Sequence, residues 1–280
     1  MMLDQKTIQK LEACAHKMRV DCVDMFYKWG SGHFGGCFSH VELLALLYLE
    51  ILNVDPQNPD WEGRDRFILS KGHGAASCYS VLAQRGFFPA EWLGQYGELL
   101  ANLNAHPSMH RVPGVDMSTG SLGHGLPVGA GMALAAKLDH KSYRTFVLMG
   151  DGECGEGMIW ETAMAAPLYK LDNLIAIVDR NRLCIAGDTE DFLPLEPFEE
   201  KWEKFNWEVF SVDGHDFQAL FAAFTSALQN QNGKPKVLIA NTVKGKGVSF
   251  MENDPKWHAH KVDDAWYAKI MDELNGGQSR

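Results

Sequence analysis

Hydrophobic and polar positions alternate along the chain with two different periods. A period near 3.6 residues, typical of amphipathic helices, runs through residues 5–27 and through the more apolar segment 40–52, where Ser39 is a candidate N-cap. Short apolar runs of four to seven residues predict strands. The other predicted helices begin near 90 and span 126–138, 157–167, 197–205 and 216–229, and the predicted strands are 66–69, 145–149, 173–179, 207–212 and 236–240.

The repeated order of strand and then helix predicts an α/β fold with a mostly parallel sheet and helices on both faces. The run NLIAIVD at 173–179 is almost entirely apolar, as expected for a strand that is buried on both sides. Residues 101–121 have no clear period and predict a long loop, which is usually functional in a compact domain. We expect one domain over residues 1–280, with an extended C-terminal tail from about residue 250.

Composition narrows the classes of protein that this chain can be. Among its 280 residues, 46% are hydrophobic and 22% are charged, which is typical of a soluble globular protein. The net charge of −10 and the lack of a basic stripe argue against nucleic-acid binding. No apolar segment has the length of a membrane span, and the N-terminus lacks the features of a signal peptide. Six scattered cysteines without a C-x-x-C pair indicate reduced thiols, so we expect a cytoplasmic protein.

Two polar turns follow predicted strands and carry candidate metal ligands. GDGECGEG at 150–157 places Asp151 between two glycines, where it can bind a metal ion through oxygen or cap a helix. DRNRL at 179–183 places Asn181 after the next strand, where it can be a ligand or a left-handed turn residue. With a backbone carbonyl near Leu183, the two side chains would supply half of the octahedron that Mg²⁺ prefers.

Histidines among small residues recur in predicted loops. They occur in SGHFGG at 31–36, SKGHG at 70–74, NAHP at 104–107 and GSLGHG at 120–125. Glycine-rich loops offer backbone N–H groups to anions, and histidine can bind phosphate or transfer protons near neutral pH. A single histidine of this kind is more often a surface or core residue, so it is the set of four that points to a site.

Taken in order, the motifs resemble the N-terminal, diphosphate-binding half of transketolase. The resemblance rests on SGHFGG, SKGHG, AHP, GVDMSTGSLGHG, GDGECGEG, DRNRL, DGHD at 213–216 and KGKG…WH at 244–258. It extends from about residue 7 to about residue 262, and its specificity comes from the order and spacing of the motifs. The resemblance implies the thiamine diphosphate-binding fold, with thiamine diphosphate and a divalent metal, Mg²⁺ or else Ca²⁺ or Mn²⁺, as cofactors.

The same resemblance implies roles for individual residues. The metal ligands would be the side chains of Asp151 and Asn181 and the carbonyl of Leu183. The catalytic, substrate-facing residues would be His33, His106 and His258. The cofactor-binding residues would be His73, Gly120, Ser121, Leu122, Gly152, Glu153, Asn181 and His258.

The chain departs from the family pattern at one position, and two further assignments leave alternatives open. The family turn that often reads GPLGQG is GSLGHG here, so His124 replaces a glutamine. His258 and His260 compete for the substrate-facing role, and spacing from the lysine-glycine run favours His258. Glu156 matches a buried glutamate near the axis between subunits in the family, or it is a surface carboxylate stabilised by a helix dipole.

The family mechanism also needs a second, pyrimidine-binding domain, and no second α/β block follows in these 280 residues. We therefore expect the N-terminal subunit of a split transketolase, a transferase that moves a two-carbon ketol unit from a ketose phosphate to an aldose phosphate. A separate C-terminal subunit would supply the pyrimidine-binding half. Because the family's sites are paired across a two-fold axis, an α2β2 heterotetramer is expected.

Three other functions share parts of this pattern. The α subunit of a 2-oxo acid dehydrogenase also has GDG and an asparagine turn, but the histidine motifs favour a sugar donor with several hydroxyls. A non-catalytic subunit of the same fold is less consistent with intact Asp151 and Asn181. A fragment of a deoxyxylulose-phosphate synthase is the third alternative.

Overall fold

The computed structural model describes residues 2–276 and is built around a five-stranded parallel sheet. The strands are β1 (Ser31–Gly32), β2 (Arg66–Leu69), β3 (Thr145–Gly150), β4 (Leu174–Arg180), β5 (Glu208–Asp213), β6 (Lys236–Asn241) and β7 (His260–Lys261). The α-helices are α1 (Gln5–Trp29), α2 (Phe34–Phe38), α3 (Val41–Leu46), α4 (Ala75–Arg85), α5 (Gly125–Leu138), α6 (Gly157–Leu168), α7 (Thr189–Phe192), α8 (Phe198–Lys204), α9 (Phe217–Gln229) and α10 (Asp264–Leu274). The sheet has the order β2-β3-β4-β6-β5, and the predicted α/β class is confirmed.

Strand register brings the polar turns to one edge of the sheet. Gly150 at the end of β3 lies opposite Asp179 of β4, and Arg180 at the end of β4 lies opposite Asn241 of β6. Because all of these strands are parallel, the segments that follow them emerge at the same carboxyl edge. The turns GDG and DRNRL, together with the segment after β6, therefore meet there.

The two faces of the sheet are covered by different helices. Phe146 and Leu148 of β3 pack into the core cluster formed with α1, α3, α4 and α9, whereas Val147 and Met149 pack into the cluster with α5 and α6. A strand between two helical layers is buried on both sides, which accounts for the nearly continuous apolar runs of β3 and β4. On the α5 side, a Cβ on Gly129 would lie 2.4 Å from Val147 Cγ2, so glycine permits the close approach. Between residues 2 and 276, no helix has the length and hydrophobicity to cross a bilayer.

The start of the second predicted helix differs from the sequence expectation. Helix α3 begins at Val41 with His40 at the N-cap position, so the prediction of Ser39 as N-cap is wrong. The Ser39 hydroxyl lies 2.6 Å from Asp179 Oδ2 and donates to it. The buried Asp179 carboxylate needs hydrogen-bond donors, and the Ser39 hydroxyl serves as one of them instead of capping helix α3.

Helix α4 was not expected from the sequence. Every residue from Ala75 to Ala83 is buried, so the segment carries no polar face and no amphipathic period. Residues 47–51 continue α3 as a single π-helical turn, and the helix expected near 90 is a short 3₁₀ segment, Ala90–Gln95.

The segment after residue 250, expected to be an extended tail, is folded onto the domain. A 3₁₀ turn at Pro255–His258 leads into β7, which pairs antiparallel with β1. Helix α10 then packs on α1, where the Tyr267 hydroxyl donates to Asp24 at 2.8 Å. Residues 277–280, the end of the predicted tail, lie outside the described part of the chain.

Candidate active site

The carboxyl edge of the sheet contains a cavity of about 320 Å³. Its walls come from segments that the sequence analysis singled out separately. The lining residues are Gly36, Lys71, His73, Leu122, Gly150, Asp151, Gly152, Glu153, Asn181, Leu183, Cys184, Ile185, Lys244 and His258. Ligands of parallel α/β sheets bind at this edge, so the cavity is the candidate active site.

Asp151 holds the two polar turns together. Its Oδ1 accepts from the Gly152 amide at 2.7 Å, and its Oδ2 accepts from the Arg182 amide at 2.5 Å. The carboxylate is 2% exposed, and burial, with the nearby Asp179 charge, raises its pKa. Asp151 therefore caps the 3₁₀ turn that follows and also faces the cavity, so the capping and ligand interpretations are compatible.

Asn181 and Leu183 stand beside Asp151 on the cavity wall. Asn181 donates through Nδ2 to Asp179 at 3.1 Å, and its Oδ1 accepts from the Leu183 amide at 3.1 Å. The left-handed residue of this turn is Arg182, with φ 65°, and not Asn181. The hydrogen bond to Asp179 thus orients the Asn181 side chain. The Leu183 carbonyl lies at the cavity, where it meets Lys244.

These oxygens fit a hard divalent cation. The Leu183 carbonyl accepts from the Lys244 ammonium at 2.5 Å, which shows that this oxygen is presented to a positive charge. A carboxylate, an amide oxygen and a backbone carbonyl form a donor set that suits Mg²⁺. Across residues 2–276, no group of three or more His, Cys, Asp and Glu side chains is placed to hold a metal, so the softer Zn²⁺-type sets are not found there.

Two lysines at the cavity were missed by the sequence analysis, although both lie in quoted glycine-rich motifs. Lys71 donates to Asp179 at 2.5 Å, so the carboxylate balances its positive charge. Lys244 is 3% exposed, and no carboxylate in the described residues lies within ion-pair distance of it. Burial lowers the pKa of Lys244 to about 8. A buried cation that faces a cavity without a carboxylate partner is suited to bind an anion.

Four histidines from separate loops converge beside the cavity. The ring centroid of His33 lies 5.5 Å from that of His73, 5.7 Å from that of His258 and 6.4 Å from that of His106. His73 and His258 are 5.2 Å apart. Burial, with the nearby lysines, lowers the pKa of His73 to about 2 and that of His258 to about 4, and burial also lowers that of His33. The three rings are therefore neutral at pH 7 and can each donate and accept hydrogen bonds.

Comparison with known proteins identifies the family of this chain. A family model described as "Transketolase, thiamine diphosphate binding domain" matches residues 10–274. An apulose-4-phosphate transketolase subunit of Phocaeicola vulgatus is 46% identical over 258 residues, which cover 92% of this chain and 91% of the relative. A 6-deoxy-6-sulfo-D-fructose transketolase subunit of a Clostridium species is 43% identical over 263 residues, with 94% and 95% covered.

The chain belongs to the transketolase family. The crystal structure of transketolase from Campylobacter jejuni has a TM-score of 0.89 and 31% identity to this chain, and the match covers 98% of this chain and 43% of that one. The chain thus spans less than half of that solved transketolase. The prediction of a transketolase-family N-terminal subunit is confirmed, and with it the transferase class.

Within this transketolase fold, His258 and not His260 lines the cavity. His260 stacks on Trp257 with centroids 4.1 Å apart, and its Nδ1 contacts the Lys261 carbonyl at 2.6 Å. His258 Nδ1 is buried and lacks a hydrogen-bond partner within the described residues. A buried ring nitrogen without a partner is the atom expected to meet a ligand.

The turn at 120–122 is only partly at the cavity. Leu122 lines it, while Gly120 lies against His106, where an added Cβ would be 3.4 Å from the ring. Ser121 is exposed and does not line the cavity in this chain. His124, the departure from the family turn, is exposed at the N-cap position of α5 and makes no side-chain capping bond.

The two glutamates of GDGECGEG have different environments. Glu153 is 3% exposed, and its carboxylate accepts from the amides of Gly123 at 2.9 Å and Gly150 at 3.0 Å and from the Ser70 hydroxyl. Burial raises its pKa. Its oxygens are thus occupied by the protein, and it ties the 120–125 turn to the sheet. Glu156, expected to match a buried glutamate near the axis between subunits, is exposed in this single chain at the start of α6.

Proposed function

We propose that this chain is the diphosphate-binding subunit of a two-subunit transketolase. The enzyme transfers a two-carbon ketol unit from a ketose phosphate to an aldose phosphate. One observation carries the proposal: the cluster of His33, His73 and His258 adjoins the cavity that holds the oxygens of Asp151 and Leu183. A metal-diphosphate site and a sugar-binding site are thereby adjacent, as ketol transfer requires. The whole described chain acts as a single domain of this type.

Different residues of the chain bind the metal and the diphosphate of the cofactor. Asp151, Asn181 and the Leu183 carbonyl hold Mg²⁺, and Ca²⁺ or Mn²⁺ fits the same oxygen donors. Lys244 and His73 face the diphosphate, because both lie at the cavity and no carboxylate in the described residues pairs with Lys244. When bound, thiamine diphosphate supplies the nucleophilic carbon and the electron sink for ketol transfer.

His33, His106 and His258 contact the sugar and move protons at its hydroxyls. Their support is the geometry of the cluster, in which His33 lies between His106 and His258 with centroid distances of 6.4 and 5.7 Å. Neutral imidazoles can accept a proton from one hydroxyl and return it to another, as general acid–base catalysis requires. The lowered pKa values of His33 and His258 support this neutral state.

A separate C-terminal subunit completes the site with the pyrimidine-binding half. Two relatives that match over nearly their full length are named as transketolase subunits, and this chain covers only 43% of a solved transketolase. Exposed apolar residues on α5, on α6 and directly after α6 offer an area for contact with another chain. They are Leu138, Met164, Leu168 and Tyr169, with 71%, 58%, 75% and 52% exposure. Two copies of each chain form an α2β2 heterotetramer in the cytoplasm.

Calorimetric titration tests the cofactor site. Thiamine diphosphate with Mg²⁺ is titrated into this chain alone, and into the chain mixed with a transketolase C-terminal subunit from the same genome. We expect tight binding in the mixture and its loss in Asp151→Asn. The matched control is Asp172→Asn, which removes another paired carboxylate at the opposite end of the sheet and should bind as wild type. Failure of the wild-type mixture to bind would refute the proposal.

An activity assay of the same mixture separates ketol transfer from 2-oxo acid decarboxylation. We expect transfer from a ketose phosphate to an aldose phosphate and no decarboxylation of pyruvate. Decarboxylation without ketol transfer would assign the chain to the dehydrogenase type of thiamine diphosphate enzyme instead.

A further inference from the structure

The DGHD turn at 213–216 does not line the active-site cavity, but its histidine reaches the segment that does. His215 Nδ1 lies 3.0 Å from Glu42 Oε2, and His215 Nε2 accepts from the Val243 amide at 2.9 Å. Because a backbone N–H can only donate, Nε2 must be the unprotonated nitrogen. The proton then sits on Nδ1 and points at the carboxylate, so the ring joins Glu42 to the backbone one residue before Lys244.

Arg19 extends this network to the other side of Lys244. Its guanidinium lies 2.8 Å from Glu42 Oε1, and its Nε donates to the Lys246 carbonyl at 2.8 Å. The side chains of Arg19, Glu42 and His215 are 9%, 10% and 15% exposed. Burial alone would raise the pKa of Glu42, but Arg19 and His215 together lower it. The carboxylate therefore stays ionised and is shared by two donors from different elements.

The network holds both ends of a short loop. Residues 243–247 carry Lys244, whose ammonium reaches the Leu183 carbonyl in the cavity. His215 binds the loop at Val243, and Arg19 binds it at Lys246. Gly247, at φ +97°, packs against Arg19, where an added Cβ would lie 3.1 Å from Nε. Without these two hydrogen bonds, fewer contacts would hold the backbone that orients the Lys244 side chain.

We infer that Arg19, Glu42 and His215 are positioning residues that hold loop 243–247 so that the Lys244 ammonium faces the diphosphate. This inference rests on the proposed function, because it assumes a diphosphate in the cavity. It adds that cofactor affinity depends on three residues outside the cavity. Groups that orient a ligand-binding residue commonly change affinity by about 10- to 100-fold when they are removed.

The first test measures loop order by hydrogen exchange, without cofactor. In the full chain, Glu42→Gln and His215→Leu should speed amide exchange in peptides that contain residues 243–247. His215→Gln keeps an acceptor for the Val243 amide and should restore part of the protection. Asp172→Asn, the matched control, breaks the Lys137 ion pair at the other end of the sheet and should leave this loop unchanged. Unchanged exchange in Glu42→Gln and His215→Leu would overturn the inference.

The second test measures affinity for thiamine diphosphate and Mg²⁺ by calorimetry, in the chain assembled with its C-terminal subunit. The dissociation constant should rise about tenfold or more in Glu42→Gln and His215→Leu, and less in His215→Gln. The thermal stability of Glu42→Gln and His215→Leu is measured beside that of Asp172→Asn. If Glu42→Gln and His215→Leu lose stability to the same extent as this control but keep the wild-type dissociation constant, the network serves folding only. If the wild type itself does not bind, the proposed function fails, and the exchange experiment alone then decides whether the network orders the loop.

Discussion

Lys71 Nζ lies 2.5 Å from Asp179 Oδ2, and the two side chains are 2% and 0% exposed. Lys71 follows β2 and Asp179 lies in β4, so the pair spans the end of the intervening strand β3. Asp179 also accepts from Ser39 and from Asn181. Although burial would raise the pKa of Asp179, Lys71 and the other donors hold it well below its usual range. The pair thereby links the fold's interior to the proposed metal ligand Asn181.

Removing one partner of this pair should be costly. Lys71→Met leaves the Asp179 carboxylate buried without its counter-ion, and we expect the free energy of unfolding to fall by about 3–5 kcal/mol. Urea denaturation monitored by tryptophan fluorescence measures this change. Lys141→Met is the control, because the Lys141–Glu62 pair is largely exposed and should contribute less than about 1 kcal/mol. Equal losses in the two variants would contradict this account of Lys71.

Glu153 and Glu156 allow the same substitution in two environments three residues apart. In the wild type, backbone N–H groups donate to both oxygens of the Glu153 carboxylate. Glu153→Gln replaces one of these oxygens with an NH2 group that cannot accept, so the free energy of unfolding should fall by about 2 kcal/mol. Glu156→Gln changes an exposed side chain in this chain and should cost less than about 0.5 kcal/mol. Thermal unfolding of both variants makes the comparison. A stable Glu153→Gln would show that the 120–125 turn is held by other contacts.

His258 and His260 can be separated by turnover in the assembled enzyme. His258→Ala should lower kcat by about 100-fold or more while cofactor affinity changes little, because a proton-transfer group acts mainly in the reaction. His260→Ala should keep kcat within about threefold, since its ring stacks on Trp257 outside the cavity. The measurement is steady-state ketol transfer with cofactor titration of each variant. A larger kcat loss in His260→Ala would reverse the assignment.

The half-buried histidines of the cluster should make the chain less stable in mild acid. In the folded chain the pKa of His258 is about 4, and in the unfolded chain it is near 6.5. Between these values the unfolded state takes up a proton that the folded state refuses, so the free energy of unfolding falls as pH falls from about 6.5 to about 4. His258→Gln should have a shallower fall than wild type, measured by urea denaturation at successive pH values. His16→Gln, on an exposed part of α1, controls for the general effect of replacing a histidine. Parallel curves for His258→Gln and wild type would contradict the prediction.

Much of the fold was predictable because its signals are local. The central strands β3 and β4 are nearly continuous apolar runs, and the parallel order follows from the alternation of strands with helices. Asp151 and Asn181 could be placed at one edge because each directly follows a strand. Helix α4 could not be predicted, since a helix buried on all sides has no amphipathic pattern. The C-terminal segment also failed as a prediction, because its pairing partner β1 lies more than 200 residues earlier in the chain.

Local sequence patterns determined the layers of strands and helices, and they also identified the candidate oxygen and histidine groups. They could do so because hydrophobic periodicity and turn chemistry depend only on residues that are close together in the chain. Which of those groups meet depended on the tertiary fold. Lys244 reaches Leu183 and His215 reaches Glu42 across separations of 61 and 173 residues. The fold also buries Glu153 while leaving Glu156 exposed, and it turns His258 rather than His260 to the cavity. These outcomes depend on packing between distant segments, and no pattern within one segment encodes them.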